Sequence, residues 1–271
     1  MMKKSIFFEH IIAASQQEQT DVTEMMDYVA SIGYVGCDMG WESPKQLKAQ
    51  AQTLSSHGLA VSSVYRFWDY TTPLDKTDAS TFFSSLKEVG TTQAMVIPMG
   101  GKAPYEEQDY THLYAWLSEL CSIAVLYGID VSVEDFDDAG AMINHTASLS
   151  RLFCHVPAMR HTFDTGNYPY FYESPLDALD VFIDKITHVH LKDRSYTPPT
   201  QNQPAGQMAD GAPVYPCANG EGFVPLKDII LRLKAHGYQG YLSVEHFGHK
   251  EMKNAIKRSA HFIDTVLSDL S

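Results

Sequence analysis

One unit recurs five times along the chain: a helical pattern stops at a glycine, and a short apolar strand follows. It reads Ser31-Ile-Gly-Tyr-Val-Gly-Cys-Asp-Met, Ser56-His-Gly-Leu-Ala-Val-Ser-Ser-Val, Glu88-Val-Gly-Thr-Thr-Gln-Ala-Met-Val, Leu126-Tyr-Gly-Ile-Asp-Val-Ser-Val-Glu and Ala235-His-Gly-Tyr-Gln-Gly-Tyr-Leu-Ser. A glycine just past a helix takes the left-handed backbone that other residues resist. The segments before these glycines carry amphipathic stripes. Met25, Val29 and Ile32 follow a capping-box-like Asp21-Val-Thr-Glu24, and Leu226, Ile229, Ile230 and Leu233 form another stripe, as do Ile256, Ile263, Val266 and Leu270. Such stripes are the sheet-facing sides of helices and carry no functional meaning.

Eight strands can be counted, near 5–9, 35–39, 60–65, 93–98, 130–134, 160–164, 186–191 and 241–246. Alternating strands and helices in that number predict an α/β chain folded as one (β/α)8 TIM barrel. The 271 residues fit a single such domain. One stretch breaks the rhythm: residues 194–222, rich in Pro, Gly, Asn and Gln, follow strand seven. A loop that long on the catalytic face reads as a lid or binding loop, with a tolerated surface insertion as the competing reading.

Four strands end on residues of a metal-ligand type. Val131-Ser-Val-Glu134, His161-Thr-Phe-Asp164, His188-Val-His-Leu-Lys-Asp193 and Tyr241-Leu-Ser-Val-Glu245 place Glu134, Asp164, His190 and Glu245 at the C-terminal ends of strands five to eight. Active sites of such barrels lie at those ends. A lone Glu at a strand end is ordinarily exposed or salt-bridged. Three carboxylates and one imidazole together would repel strongly without a cation, which favours one bound divalent ion. Mn²⁺ is the first expectation, with Mg²⁺, Co²⁺ or Zn²⁺ also suited to mixed oxygen and nitrogen donors. Alternate residues share one side of a strand, so Ser132, Thr162, His188 and Ser243 point inward one layer below, and Lys192 shares the side of His190. His161 and His246 fall on the opposite side and read as packing residues.

Further candidates for substrate contact are His10 ending strand one, Arg66 and Trp68 following strand three, Asn167, His188 and Lys192. Trp68 has the ring to stack on a sugar, and Arg66 the fork to hold a carboxylate or phosphate. Core or rim packing competes with that role for the aromatic, and simple neutralisation of the carboxylates competes with it for Lys192.

The balance of charge narrows the partners. Twenty basic against 33 acidic residues give a net charge of −13, which repels phosphate backbones and points to a small-molecule substrate rather than nucleic acid. No apolar run approaches the roughly 20 residues that span a bilayer. Glu9 and His10 interrupt the apolar start, which reads as a first strand and not a signal peptide. Cys37, Cys121, Cys154 and Cys217 form no C-x-x-C pair and read as reduced thiols of a cytoplasmic protein. The sequence leaves the oligomeric state open, a homo-oligomer included.

The second half of the chain resembles the xylose isomerase-like barrel superfamily, which includes sugar epimerases, hydroxypyruvate isomerases, inosose and dehydroshikimate dehydratases and apurinic-site endonucleases. The resemblance rests on Val133-Glu134, Phe163-Asp-Thr-Gly-Asn167, His188-Val-His-Leu-Lys-Asp193, Gly220-Glu-Gly-Phe-Val-Pro225 and Gly237-Tyr-Gln-Gly-Tyr-Leu-Ser-Val-Glu245. It implies Glu134, Asp164, His190 and Glu245 as metal ligands, with Glu134 and Glu245 also acting as acid and base. Epimerases of the superfamily often carry a histidine where this chain has Asn167, and their usual arginine has no simple match, Arg194 standing too close to His190. The endonuclease branch needs extra histidines that are missing here. The expected activity is isomerisation or epimerisation of a sugar or polyol through an enediolate. A dehydratase of a cyclic polyol or keto-acid is the alternative, and a non-catalytic sugar-binding barrel the second alternative.

Overall fold

The computed structural model describes residues 2–268. Eight parallel strands close a barrel: β1 (Lys3–Phe7), β2 (Tyr34–Gly40), β3 (Ala60–Asp69), β4 (Gln93–Met99), β5 (Asp130–Val133), β6 (Arg160–Asp164), β7 (Ile186–Ser195) and, after a short β8 (Gly206–Gln207) and β9 (Pro213–Cys217), β10 (Tyr241–Glu245). The strands pair in chain order, and β10 closes the ring by pairing with both β1 and β7. The expected (β/α)8 architecture is the one found.

The helices are α1 (Phe8–Glu18), α2 (Val22–Ser31), α3 (Pro44–Ser56), α4 (Lys76–Val89), α5 (Glu107–Ala124), α6 (Thr146–His155), α7 (Pro175–Phe182), α8 (Leu226–Ala235) and α9 (Met252–Ser268). Gly33, Gly58, Gly90, Gly128 and Gly237, the glycines of the recurring unit, all take positive φ, between 73° and 89°. Asp21 caps α2 by accepting from the Thr23 backbone N–H at 2.8 Å. The stripes on the helices meet the outer faces of the strands: Phe82, Leu117, Leu152, Ile229 and Ile263 are fully buried with Ile6, Val64, Phe163, Val189 and Leu242. Burial of each such side chain stabilises by about 1.5–3 kcal/mol. Leu270, expected on the last stripe, lies outside the described residues.

Two differences in strand boundaries move candidate residues. β1 stops at Phe7, and α1 starts at once, so His10 belongs to a helix and not to a strand end. β3 runs on to Asp69, so Arg66 and Trp68 lie within it. Its pairing with β2 shifts register between Cys37 and Asp38, whose partners are Val61 and Ser63, leaving Ser62 as the extra residue. An extra residue of this kind re-aims the side chains that follow. Downstream of it Tyr65 and Phe67 line the barrel mouth, while Trp68 packs on Phe82 and Trp116, each ring centroid 5.7 Å away.

The loop after β7 is partly ordered by β structure. β7 extends to Ser195 and pairs antiparallel with β9, which pairs in turn with β8. Gln203 ties the loop to the segment after β10, donating to the Gly248 carbonyl at 2.9 Å and accepting from the Lys250 N–H at 3.0 Å.

Candidate metal centre and active-site cavity

A cavity of about 540 Å³ opens at the C-terminal ends of the strands. Glu134, His190, Lys192 and Glu245 line its floor; Phe7, Tyr65, Phe67, Phe136 and Phe247 line its walls, and Gln203 to Gly206 with Pro216 close one side. The parity argument for the layer below matches: Ser132, Thr162, His188 and Ser243 are fully buried there, with the Ser132 and Thr162 hydroxyls 2.7 Å apart.

The four candidate ligands converge. Glu134, Asp164 and His190 each offer one ligand atom, and those atoms lie within 4.8 Å of one another. His190 Nδ1 is 3.2 Å from Glu134 Oε2 and 3.4 Å from Glu245 Oε2. Asp164 Oδ1 accepts from the Gly166 N–H at 2.8 Å, while its Oδ2 meets only the Lys192 ammonium, at 3.1 Å, and lacks a well-formed hydrogen bond. Lys192 Nζ also lies 2.6 Å from Glu245 Oε1 and 2.9 Å from Asn167 Oδ1.

The electrostatics call for more positive charge. Burial first, and then the Glu245 carboxylate, push Asp164 up to about 6 in spite of Lys192. Burial, with Asp164 and Glu134 alongside, raises the Asp135 carboxyl well above the usual range. Burial works against a charged His190, but its bonds to Asp38 and Glu134 and the charges of Glu134 and Glu245 raise it well above the ordinary imidazole value. Three carboxylates outnumber the Lys192 ammonium and a protonated His190, so the floor keeps excess negative charge. An unfilled lone pair on buried Asp164, the imidazole edge of His190 and two glutamates together fit one divalent cation held by oxygen and nitrogen donors.

The remaining candidates are placed as follows. His188 Nε2 donates to Asp38 Oδ2 at 2.7 Å, below the floor. Asn167 is buried and donates to the Asp135 carbonyl at 2.8 Å while accepting from Lys192. His10 is buried off the cavity: its Nε2 accepts from the His246 N–H at 2.7 Å, and burial pushes its pKa down to about 3. Arg66 turns away from the mouth, its guanidinium 3.7 Å from the Trp68 ring centroid and 2.5 Å from Asp78. Thus His10, Arg66 and Trp68 do not line the cavity, whereas Lys192 does. His161 and His246 face outward as expected, bonded to Tyr168 and Ser259 at 2.8 Å each.

Sequence reasoning passed over Asp38, Asp137 and Tyr65. Asp38 is buried, and the His188 and His190 imidazoles, overcoming burial, hold it below the usual carboxylate range. Asp137 pairs with Arg194 at 2.8 Å, and Tyr65 donates to Glu9 at 2.6 Å. Asp38 ends an apolar run as Asp164 does, which was a readable signal.

Comparison with known proteins agrees with this fold. A family model described as a xylose isomerase-like TIM barrel matches residues 26–266. An inosose dehydratase of Geobacillus thermodenitrificans is 25% identical over 239 residues, covering 80% of this chain and 79% of that protein. Among solved structures, the probable 3-DHS dehydratase AsbF involved in petrobactin synthesis from Bacillus anthracis superposes with a TM-score of 0.74 at 17% identity, covering 97% of this chain and 99% of that one. An L-ribulose 3-epimerase gives a TM-score of 0.75 at 14% identity, with 99% and 95% coverage. At those identities the two structures show a shared fold alone.

Proposed function

The chain belongs to the xylose isomerase-like TIM-barrel family, and from that premise we propose a divalent-metal-dependent enzyme that removes the proton beside the carbonyl of an uncharged sugar or polyol ketone. The observation that carries this reading is the convergence of Glu134, Asp164 and His190 within 4.8 Å, with Glu245 3.4 Å from the same imidazole. The four would hold the ion, Mn²⁺ being the first candidate. Bound there, it would polarise the substrate carbonyl and ease loss of the neighbouring proton.

The protein's own groups divide the proton work. Glu134 meets the His190 imidazole on the cavity floor and serves as the base. Glu245 is held by Lys192 at 2.6 Å, so that pair serves as the proton donor. Two outcomes share the first step. Return of a proton to carbon gives isomerisation or epimerisation. Breaking the C–O bond of a β-hydroxyl, with a proton delivered to the departing oxygen, releases water. The Lys192–Glu245 contact favours the second, because an epimerase needs its second carboxylate to return a proton to carbon, and an adjacent ammonium favours the ionised form of that carboxylate. The inosose dehydratases among the relatives support the same choice.

An uncharged substrate suits the cations that line the cavity, since both are engaged. Lys192 pairs with Glu245 and Asp164, and Arg194 with Asp137 and the Gly166 carbonyl. The aromatic walls suit the apolar face of a ring, and the loop at 194–222 acts as a lid over it.

The test is a proton NMR screen of the metal-supplemented protein against inososes, unphosphorylated ketoses, ketose phosphates and dehydroshikimate. A new alkene or enol product, or exchange beside the carbonyl, is expected with uncharged substrates. Turnover confined to the phosphates or the carboxylate contradicts the reading, and binding without turnover would favour a sugar-binding barrel.

A further inference from the structure

Asp38 belongs to neither the expected ligand set nor the acid/base pair, yet it sits under both histidines of the His188-Val-His190 run. It is 1% exposed. Its Oδ1 accepts from the Ser62 hydroxyl at 2.5 Å, and its Oδ2 lies 2.7 Å from His188 Nε2 and 3.3 Å from His190 Nε2. The opposite edge of the His190 ring carries Nδ1, which faces Glu134 and Glu245 at 3.2 and 3.4 Å. The Phe7 ring packs edge-on against that imidazole, 4.8 Å between centroids.

A histidine presents a lone pair from one nitrogen only when the other keeps its proton, and a carboxylate at that other nitrogen fixes the choice. We infer that Asp38 is a positioning residue for the metal centre, holding the Nε2–H tautomer of His190 so that Nδ1 is the ligand atom. Asp38 reaches across from β2 to β7, and Ser62, the extra residue of β3, locks the carboxylate that does so. His188 shares the same oxygen and fills the space below.

The same three residues could be taken for a second metal site, since their ligand atoms also lie within 4.8 Å of one another. The distances argue otherwise. Two ligands on one small ion, each about 2.0–2.2 Å from it, stand roughly 3 Å or more apart. Asp38 and His188 are 2.7 Å apart, a direct hydrogen bond. The cluster is a support and not a cage.

This inference rests on the proposed metal reading of His190, and one titration separates the two. The full chain, stripped with a chelator, is titrated with Mn²⁺ while free ion is followed by electron paramagnetic resonance. Wild type is expected to bind one ion per chain, and Asp38→Asn to bind it about 10–100-fold more weakly, as loss of such a partner commonly does. With ¹⁵N-labelled histidine and Mg²⁺, wild type is expected to show the Nε2–H tautomer at His190 and D38N a mixture, a change that a merely structural role would not produce. If D38N does not fold, Ser62→Ala leaves the carboxylate but unlocks it, and a few-fold loss of affinity is expected. Unchanged affinity in folded D38N, or in S62A should D38N not fold, overturns the inference alone. Two ions per wild-type chain overturn it too. Wild type that binds no divalent ion overturns the metal reading and this inference with it.

Discussion

The Lys192 ammonium lies 2.6 Å from Glu245 Oε1, so the two glutamates on the cavity floor differ in charge environment. Glu134 faces the imidazole of His190 at 3.2 Å instead. Lys192 also sits 3.1 Å from Asp164 Oδ2, inside the candidate ligand set.

Lys192→Met separates proton donation from metal binding. Loss of the donor is expected to lower turnover by about 100-fold or more. Loss of a positive charge beside the ion is expected to tighten divalent binding by at least about tenfold, because like charges a few ångströms apart at an effective dielectric near 20 repel by kcal/mol amounts. Steady-state rates and metal titration read the two effects. Weaker metal binding in K192M would show instead that Lys192 mainly holds its carboxylates in place.

Gly222 sits in the clamp that closes the loop at 194–222. Asp193 accepts from the Gly220 and Gly222 N–H groups at 2.9 Å each, and from Val224 and Arg194 at 3.2 and 2.8 Å. A Cβ at position 222 would stand 2.1 Å from Asp193 Oδ1 and 2.3 Å from the Arg194 carbonyl. Gly222→Ala must therefore break part of this clamp, at a cost of about 1–3 kcal/mol for the buried groups left unpaired. A lower melting temperature and a raised KM with little change in metal affinity are expected. An unaltered KM would detach the loop from substrate binding.

His161 ties stability to pH. Burial, opposed by its bond to the Val133 carbonyl, pushes its pKa down to about 4, from an ordinary value near 6.5. Between those values the unfolded chain binds a proton that the folded one does not, so stability falls as pH drops from about 6.5 towards 4 and is fully present above that window. His161→Gln, which cannot titrate, is expected to be less stable at pH 8 but to lose less on going to pH 4.5. Thermal melts at both values read this, and equal slopes in the two proteins would assign the acid sensitivity to other groups.

What the sequence made legible follows from how local each signal is. The glycine stops at Gly33, Gly58, Gly90, Gly128 and Gly237 need only their own backbone, and each was placed from neighbouring residues. Period-two alternation was enough to bring Glu134, Asp164, His190 and Glu245 together: Glu134, Asp164 and Glu245 stand at or just past the ends of short strands, and His190 lies on the same side of β7 as Lys192. Arg66 and Trp68 were misplaced because the extra residue at Ser62 reverses the sides of β3 beyond it, and nothing within Ala60–Asp69 announces a register shift against β2. His10 was misplaced because no turn residue separates β1 from α1. Asp38 was missed because its partner His188 lies 150 positions away.

The measurement closest to the central claim is solvent exchange in D2O. The protein is incubated with each uncharged ketone of the panel, with Mn²⁺ or Mg²⁺ supplied and again after chelation, and the signal of the proton beside the carbonyl is followed by NMR. The account predicts exchange or elimination that needs the ion, disappears in Glu134→Gln and leaves substrate binding intact in that variant. Exchange at the wild-type rate after chelation, or in a folded E134Q protein, would contradict it.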